Sequence, residues 1–224
     1  MEDRVIRREI REKFGGTTQH YSFAVKAFVE LVKSVGMEKY EFSVSEARTA
    51  EVLDDVKSFR SEIGVLFVDD FNNEVMNRMF RENSLVFEEL FSCHTYVYLS
   101  SEHPLAKKKK IRFEDLQEYP NLSFDQGTSN SLYFAEEVLS TYEYERMIKA
   151  NDRATMLNLM KGLNGYTLCS GIICEDLNGT DFKAVPLDNK EIMHIGYVKR
   201  ANSSLSPLGI KYVGYLKEYR SQVL

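Results

Sequence analysis

Phe91 to Tyr119 reads FSCHTYVYLSSEHPLAKKKKIRFEDLQEY, and this midpoint segment separates two similar halves of the chain. Tyr96, Val97, Tyr98 and Leu99 are β-prone residues that predict a strand, ended by Ser100-Ser101. His103-Pro104 then forces a turn, because proline fixes its own φ and restricts the residue before it. Phe113, Leu116 and Tyr119 recur at helical spacing, so a short helix should follow, closed by Pro120.

Upstream of this crossing the pattern is βαβαβα. Phe14–Gln19 should be a short strand weakened by Gly15-Gly16, and Thr17-Thr18-Gln19 the turn into a helix over His20–Val35. Tyr40–Ser45 alternates as a strand, and Glu51–Phe59 places Val52, Val56 and Phe59 on one helical face. Ile63–Val68 (IGVLFV) is a continuous apolar run, as expected of a strand covered on both faces in a mainly parallel sheet. A helix over Asn72–Glu82 and one or two strands over Leu85–Leu99 lead back to the midpoint.

The second half repeats this logic. Strands are expected at Asn121–Phe124, Arg146–Ala150, Tyr166–Ser170, Phe182–Leu187 and Met193–Lys199. Helices are expected at Asn130–Thr141, Asp152–Leu163 and Pro207–Tyr219, the second stopped at Gly162-Leu163-Asn164-Gly165. The fold class is therefore α/β, with two Rossmann-like subdomains joined by two crossover strands into a hinged clamshell. Residues 14–99 with 199–224 would form the first subdomain and 100–198 the second.

Several segments together resemble the effector-binding domain of LysR-type transcriptional regulators, which has a periplasmic-binding-protein-like fold. They are the strand running into Ser101-Glu102-His103-Pro104-Leu105-Ala106, the Glu114-Asp115-Leu116 helix, the Leu122-Ser123-Phe124 strand, Glu46–Glu51 and Gly162–Thr167. They occur in the family's order over roughly residues 14 to 220. The resemblance implies a cytoplasmic homodimer, with the first helix at an antiparallel dimer interface. It also implies a small polar or anionic effector, and DNA contact only through a winged helix-turn-helix not found before Phe14. Residues 1–13 would then be the end of a linker helix, or residues added for expression.

Composition agrees with a regulatory domain. The chain is 43% hydrophobic and 28% charged, and its formal net charge of -5 disfavours general nucleic-acid affinity. It carries neither a leader pattern nor an apolar run of membrane length, so no membrane partner is expected. Cys93, Cys169 and Cys174 lack CxxC spacing and suit a reducing compartment; a redox role for Cys169 is an alternative. The four histidines show no metal spacing, and neither a P-loop nor a GxSxG or GxGxxG motif is present. No cofactor or enzyme chemistry is expected, although a two-lobed solute-binding protein or an enzyme on the same fold remain as alternatives.

In open α/β sheets ligands collect at the carboxyl ends of strands. The effector-binding residues expected there are Thr17, Thr18, Gln19, Arg48, Thr49, Gln126, Gly127, Thr128, Asn151 and Arg153. Their competing role is N-capping. For Thr17-Thr18-Gln19 the resemblance adds a match to cysteine-regulon members, in which threonine hydroxyls and backbone amides hold sulfate-like anions. Arg153 opposes the macrodipole in a first helical turn, so it needs an anion from Asp152, a nearby glutamate or the effector. The His20–Val35 helix is apolar around most of its surface, which asks for a cover beyond one sheet: a partner chain, or its own core. Lys107–Lys110 reads as a solvated loop, with DNA contact as the alternative.

Overall fold

A computed structural model describes residues 11–36, 39–129 and 131–222. The first sheet begins with β1 (Glu12–Thr18), crosses through α1 (Ser22–Val35) to β2 (Tyr40–Glu46), and returns through α2 (Thr49–Lys57) to β3 (Ile63–Val68). α3 (Asn73–Glu82) leads to β4 (Leu85–His94). All six residues of β3 are buried, as its unbroken apolar run requires. Gly64 sits there under α2, where a Cβ would lie 2.7 Å from Val52 Cγ1 and 2.9 Å from Val56 Cγ2.

Thr95 alone separates β4 from β5 (Tyr96–Ser100), which belongs to the other sheet. That sheet also holds β6 (Asn121–Phe124), β7 (Met147–Ala150), β8 (Tyr166–Cys169) and β9 (Phe182–Pro186). α4 (Arg153–Leu163) and α5 (Glu175–Asn178) belong to the same half. The chain returns as β10 (Ile192–Arg200) and closes with α6 (Pro207–Glu218). The sheet orders are β2-β1-β3-β10-β4 and β7-β6-β8-β5-β9. β1 runs parallel to β2 and β3, while β10 runs antiparallel to β3 and β4.

The first sheet is covered on both faces. Phe23, Ala27, Phe28 and Leu31 of α1 share a core with Tyr212, Val213 and Leu216 of α6, and Val52, Val56, Met76 and Phe80 of α2 and α3 form a second. A third gathers Met156 and Met160 of α4 with Leu122 and Phe182. α1 therefore obtains much of its cover from α6: the Tyr212 hydroxyl donates to the Ala24 carbonyl at 3.0 Å, and Phe28 meets Tyr212 edge-on.

Three expectations need correction. The strands change sheet at Thr95 and within 187–191, not at 99/100 and 198/199, so β5 lies in the second sheet and all of β10 in the first. The helix expected over Asn130–Thr141 is absent among the described residues; Asn130 itself lies outside them. Only a 3-10 turn, Leu132–Phe134, forms there, with Ala135 extended and Leu139 at φ 59°. Tertiary bonds override helix propensity because the Glu136 and Glu137 side chains turn inward to serve other elements. Phe59, expected beside Val52 and Val56 on one helical face, lies past the end of α2 at φ 65° and is exposed, whereas Met156 and Met160 of α4 face the core. The predicted residues 1–10 of the N-terminal segment lie outside the described part.

His103, in the midpoint turn, is structural. Its Nδ1 accepts from the Leu105 amide at 3.0 Å and its Nε2 lies 3.0 Å from the Asn164 carbonyl, which ties the turn to the end of α4. The lysine loop makes exposed ion pairs, Lys108 with Asp115 at 2.8 Å and Lys110 with Asp188 at 2.6 Å.

Gly64→Ala should lower unfolding free energy by about 1–3 kcal/mol through overpacking. Gly214→Ala, on an exposed face of α6 with open space around it, should be neutral or stabilising by up to ~1 kcal/mol. Urea midpoints of the two variants check this.

Candidate functional site

The turns at the carboxyl ends of β1, β2 and β6 meet between the lobes, and three of the ten expected site residues, Gln19, Thr49 and Gln126, are bonded to one another there. Gln19 is buried; its Nε2 donates to Thr49 Oγ1 at 2.6 Å and its Oε1 accepts from the Phe67 amide at 3.2 Å. From the other lobe, Gln126 Oε1 accepts from the Thr49 amide at 3.1 Å, and the Phe134 carbonyl accepts from Thr49 Oγ1 at 2.8 Å. Gln126 Nε2 donates to Glu136 Oε1 at 2.9 Å. Glu136 Oε2 then accepts from the His20 amide at 3.0 Å and lies 2.8 Å from His20 Nδ1. The His20 ring stacks on Phe124 with centroids 3.7 Å apart, so this clasp returns to the first lobe.

Two arginines flank the clasp. Arg48 Nε donates to the Asp125 carbonyl at 2.9 Å, and its guanidinium pairs with the Asp125 carboxylate at 3.2 Å. Gly127, at φ 58°, makes room for it: a Cβ there would lie 2.7 Å from Arg48 Nη1. Arg153 pairs with Glu46 from the opposite lobe. Among the described residues its anion is thus Glu46 rather than Asp152, which instead caps α4, accepting from the Thr155 amide at 2.9 Å.

The remaining expected residues are not gathered around an open space. Thr17 is buried with its hydroxyl 3.4 Å from the Ser45 carbonyl, Thr18 is buried with no partner for its hydroxyl among the described residues, and Thr128 and Asn151 are exposed.

A cavity of about 80 Å³ lies beside the clasp, and of the ten expected residues Arg153 alone lines it. His20–Phe23 and Met193 of the first lobe face Tyr98, Met156, Met160 and Thr167 of the second across it. The Tyr21 and Thr167 hydroxyls are buried without a hydrogen-bond partner among the described residues. Glu136 and Glu137 also line it. Glu137 accepts from the Phe124 amide at 2.9 Å and from Ser123 Oγ at 2.8 Å. Burial, reinforced by neighbouring Glu136, pushes its carboxyl up to about 8, so it is neutral at pH 7. Sequence reasoning missed these residues, since adjacent glutamates in a helix-like pattern read as a solvated face.

The three thiols are free and burial pushes each of them up, Cys93 and Cys169 to about 12. This is the behaviour of inert buried cysteines and removes the motive for a Cys169 redox switch. Among the described residues no three histidine, cysteine or acidic side chains gather to hold a metal, and no helix is long and apolar enough to cross a membrane.

The family model for the LysR substrate-binding domain matches residues 38–220. The chain belongs to this family. As a LysR substrate-binding domain it shares its mixed α/β, two-lobed fold with solved regulatory domains. The effector-binding domain of QuiR in complex with shikimate superposes with a TM-score of 0.61 at 15% identity, covering 95% of this chain and 99% of that one. The BenM domain with benzoate gives 0.62 at 13%, covering 95% and 94%. The reduced OxyR regulatory domain from Pseudomonas aeruginosa gives 0.64 at 12%, covering 94% and 99%. A curated relative, the malolactic fermentation system transcriptional activator of Lactococcus lactis subsp. lactis, is 28% identical over 142 residues. That match covers 59% of this chain and 46% of the relative, so the chain spans about half the relative's length.

Glu137 gives this LysR domain a pH signature. Raised from an ordinary 4.5 to about 8, it is protonated in the folded state and ionised in the unfolded state between those values. Its stabilising contribution is complete below pH 4.5 and is lost as pH rises through about 8. Glu137→Gln, which keeps an acceptor for the Phe124 amide, should flatten the decline of Tm over that interval, as read by differential scanning fluorimetry.

Proposed function

We propose that this LysR substrate-binding domain is the ligand-sensing part of a bacterial transcription regulator, acting in the cytoplasm and not as an enzyme. The observation that carries this reading is the cavity walled by residues of both lobes, Tyr21 and Thr167 among them. A small polar effector held there touches both lobes and biases their relative angle by its differential affinity. In the whole regulator that bias would pass to DNA-binding parts outside this domain. QuiR with shikimate and BenM with benzoate support the ligand-binding role by analogy of fold. The pairing of Arg48 with Asp125 and Arg153 with Glu46 weighs against the expected anionic effector and leaves the polar one.

The test is a thermal-shift panel of inorganic anions, amino acids, aromatic acids, sugar acids and amines on the wild-type chain and on Met160→Trp, which fills the cavity. One class should raise Tm with dose in the wild type and not in the variant. No shift across the whole panel would count against a small-molecule sensor.

We propose a homodimer through α1. After packing on α6, Val25, Val29 and Val32 remain only half-buried, and the neighbouring edge strand β2 is exposed at Tyr40 and Val44. Val29→Glu should convert a dimer to a monomer in light scattering with the circular dichroism spectrum preserved. A wild-type monomer at high concentration would contradict the interface.

A further inference from the structure

We infer that the cavity selects a compact apolar molecule carrying an amine over a carboxylate of the same shape. The inference rests on the sensor reading above and names the ligand class of that site. It starts from where the charges are. The basic and acidic side chains lining the cavity are His20, Arg153, Glu136 and Glu137. Both basic groups already have partners: His20 Nδ1 lies 2.8 Å from Glu136 Oε2, and Arg153 pairs with Glu46. Arg48, beside the clasp, is held by Asp125. An incoming carboxylate would meet no uncommitted cation among these residues, and would enter beside two buried carboxyl groups at the cost of its own desolvation.

The acceptors tell the opposite story. Tyr21 and Thr167 are both more than nine-tenths buried, and neither hydroxyl has a partner among the described residues. The Tyr21 phenol is pushed up first by burial and then by Glu136 and Glu137, which places its oxygen within electrostatic reach of both carboxyls. An ammonium group offers three donors and no acceptor, a match for these hydroxyl oxygens and for the spare lone pairs of Glu137. The rest of the wall is apolar and adaptable, with Phe23, Met156, Met160, Leu168 and Ile172. At about 80 Å³ the space is roughly half of a cavity known to take up benzene, so it suits a short branched alkyl body.

An ammonium beside Glu137 favours its ionised form, so uptake displaces the Glu137 proton to solvent. The groups facing Glu137 are Glu136 and Tyr144 from its own segment, Ser123 and Phe124 of β6, Tyr21 and His20 before α1, and Arg153 of α4. Glu137 is the one among them that burial carries to about 8, so amine affinity should rise as pH approaches that value.

Isothermal titration of the full chain with isobutylamine, isobutyrate and isobutanol tests this. The amine should bind roughly tenfold or more tighter than the acid, with the alcohol between them. Glu137→Gln should weaken the amine by about tenfold and abolish the rise in its affinity with pH, and Thr167→Val should weaken it without changing that rise. Isobutyrate binding as tightly as isobutylamine, or an amine affinity indifferent to both substitutions, would overturn the inference. If acids bind and lose their effect in Met160→Trp, the ligand class falls while the sensor reading stands. If no compound of the wider panel binds either, both fall.

Discussion

The arrangement of the two lobes depends on a buried polar clasp that passes from Gln19 through Thr49, Gln126 and Glu136 to His20. Each member is both bonded and buried, so removing one leaves its neighbours with unsatisfied polar atoms, at ~1–3 kcal/mol apiece. The Arg48–Asp125 and Arg153–Glu46 pairs outside it retain a quarter to a third of their side-chain exposure. Pairs so placed contribute about 0–1 kcal/mol each. Their effect is on register, because each joins a residue of one lobe to a residue of the other. The clasp explains why Gln19, Thr49 and Gln126 fall where a ligand might be expected: here they bind each other.

How much of this was legible follows from sequence separation. The IGVLFV strand matched residue for residue, because a run buried on both faces needs no distant partner to be recognised. The helices before and after it were legible by period, and the turn at His103-Pro104 by proline chemistry. The helix expected over Asn130–Thr141 failed because its glutamates answer to residues elsewhere: Glu136 bonds His20, 116 positions away. The family resemblance located the interlobe cleft, but not which side chains line its cavity. Tyr21, Glu137 and Thr167 carry no local pattern that distinguishes a cavity wall from an ordinary core. The sheet boundary was misplaced for a simpler reason, since β5 and β10 look like strands whichever sheet they join.

The fold is common to proteins that share only 12–15% of their residues with this chain. In this chain the wall between the lobes holds methionines, two glutamates and no arginine without a carboxylate partner among the lining residues. Glu137, buried next to Glu136, is held largely in its neutral form, at a cost to folding above its unfolded pKa.

One bond at the crossing has a different character. The Thr95 carbonyl accepts from the Leu187 amide at 3.0 Å, so the two connectors between the sheets are tied by main-chain atoms alone. No ordinary side-chain substitution at either position deletes that bond; proline at 187 would. The tie between the lobes is therefore set by backbone geometry and the cavity wall by side chains, so a substitution can change the wall and leave the tie in place.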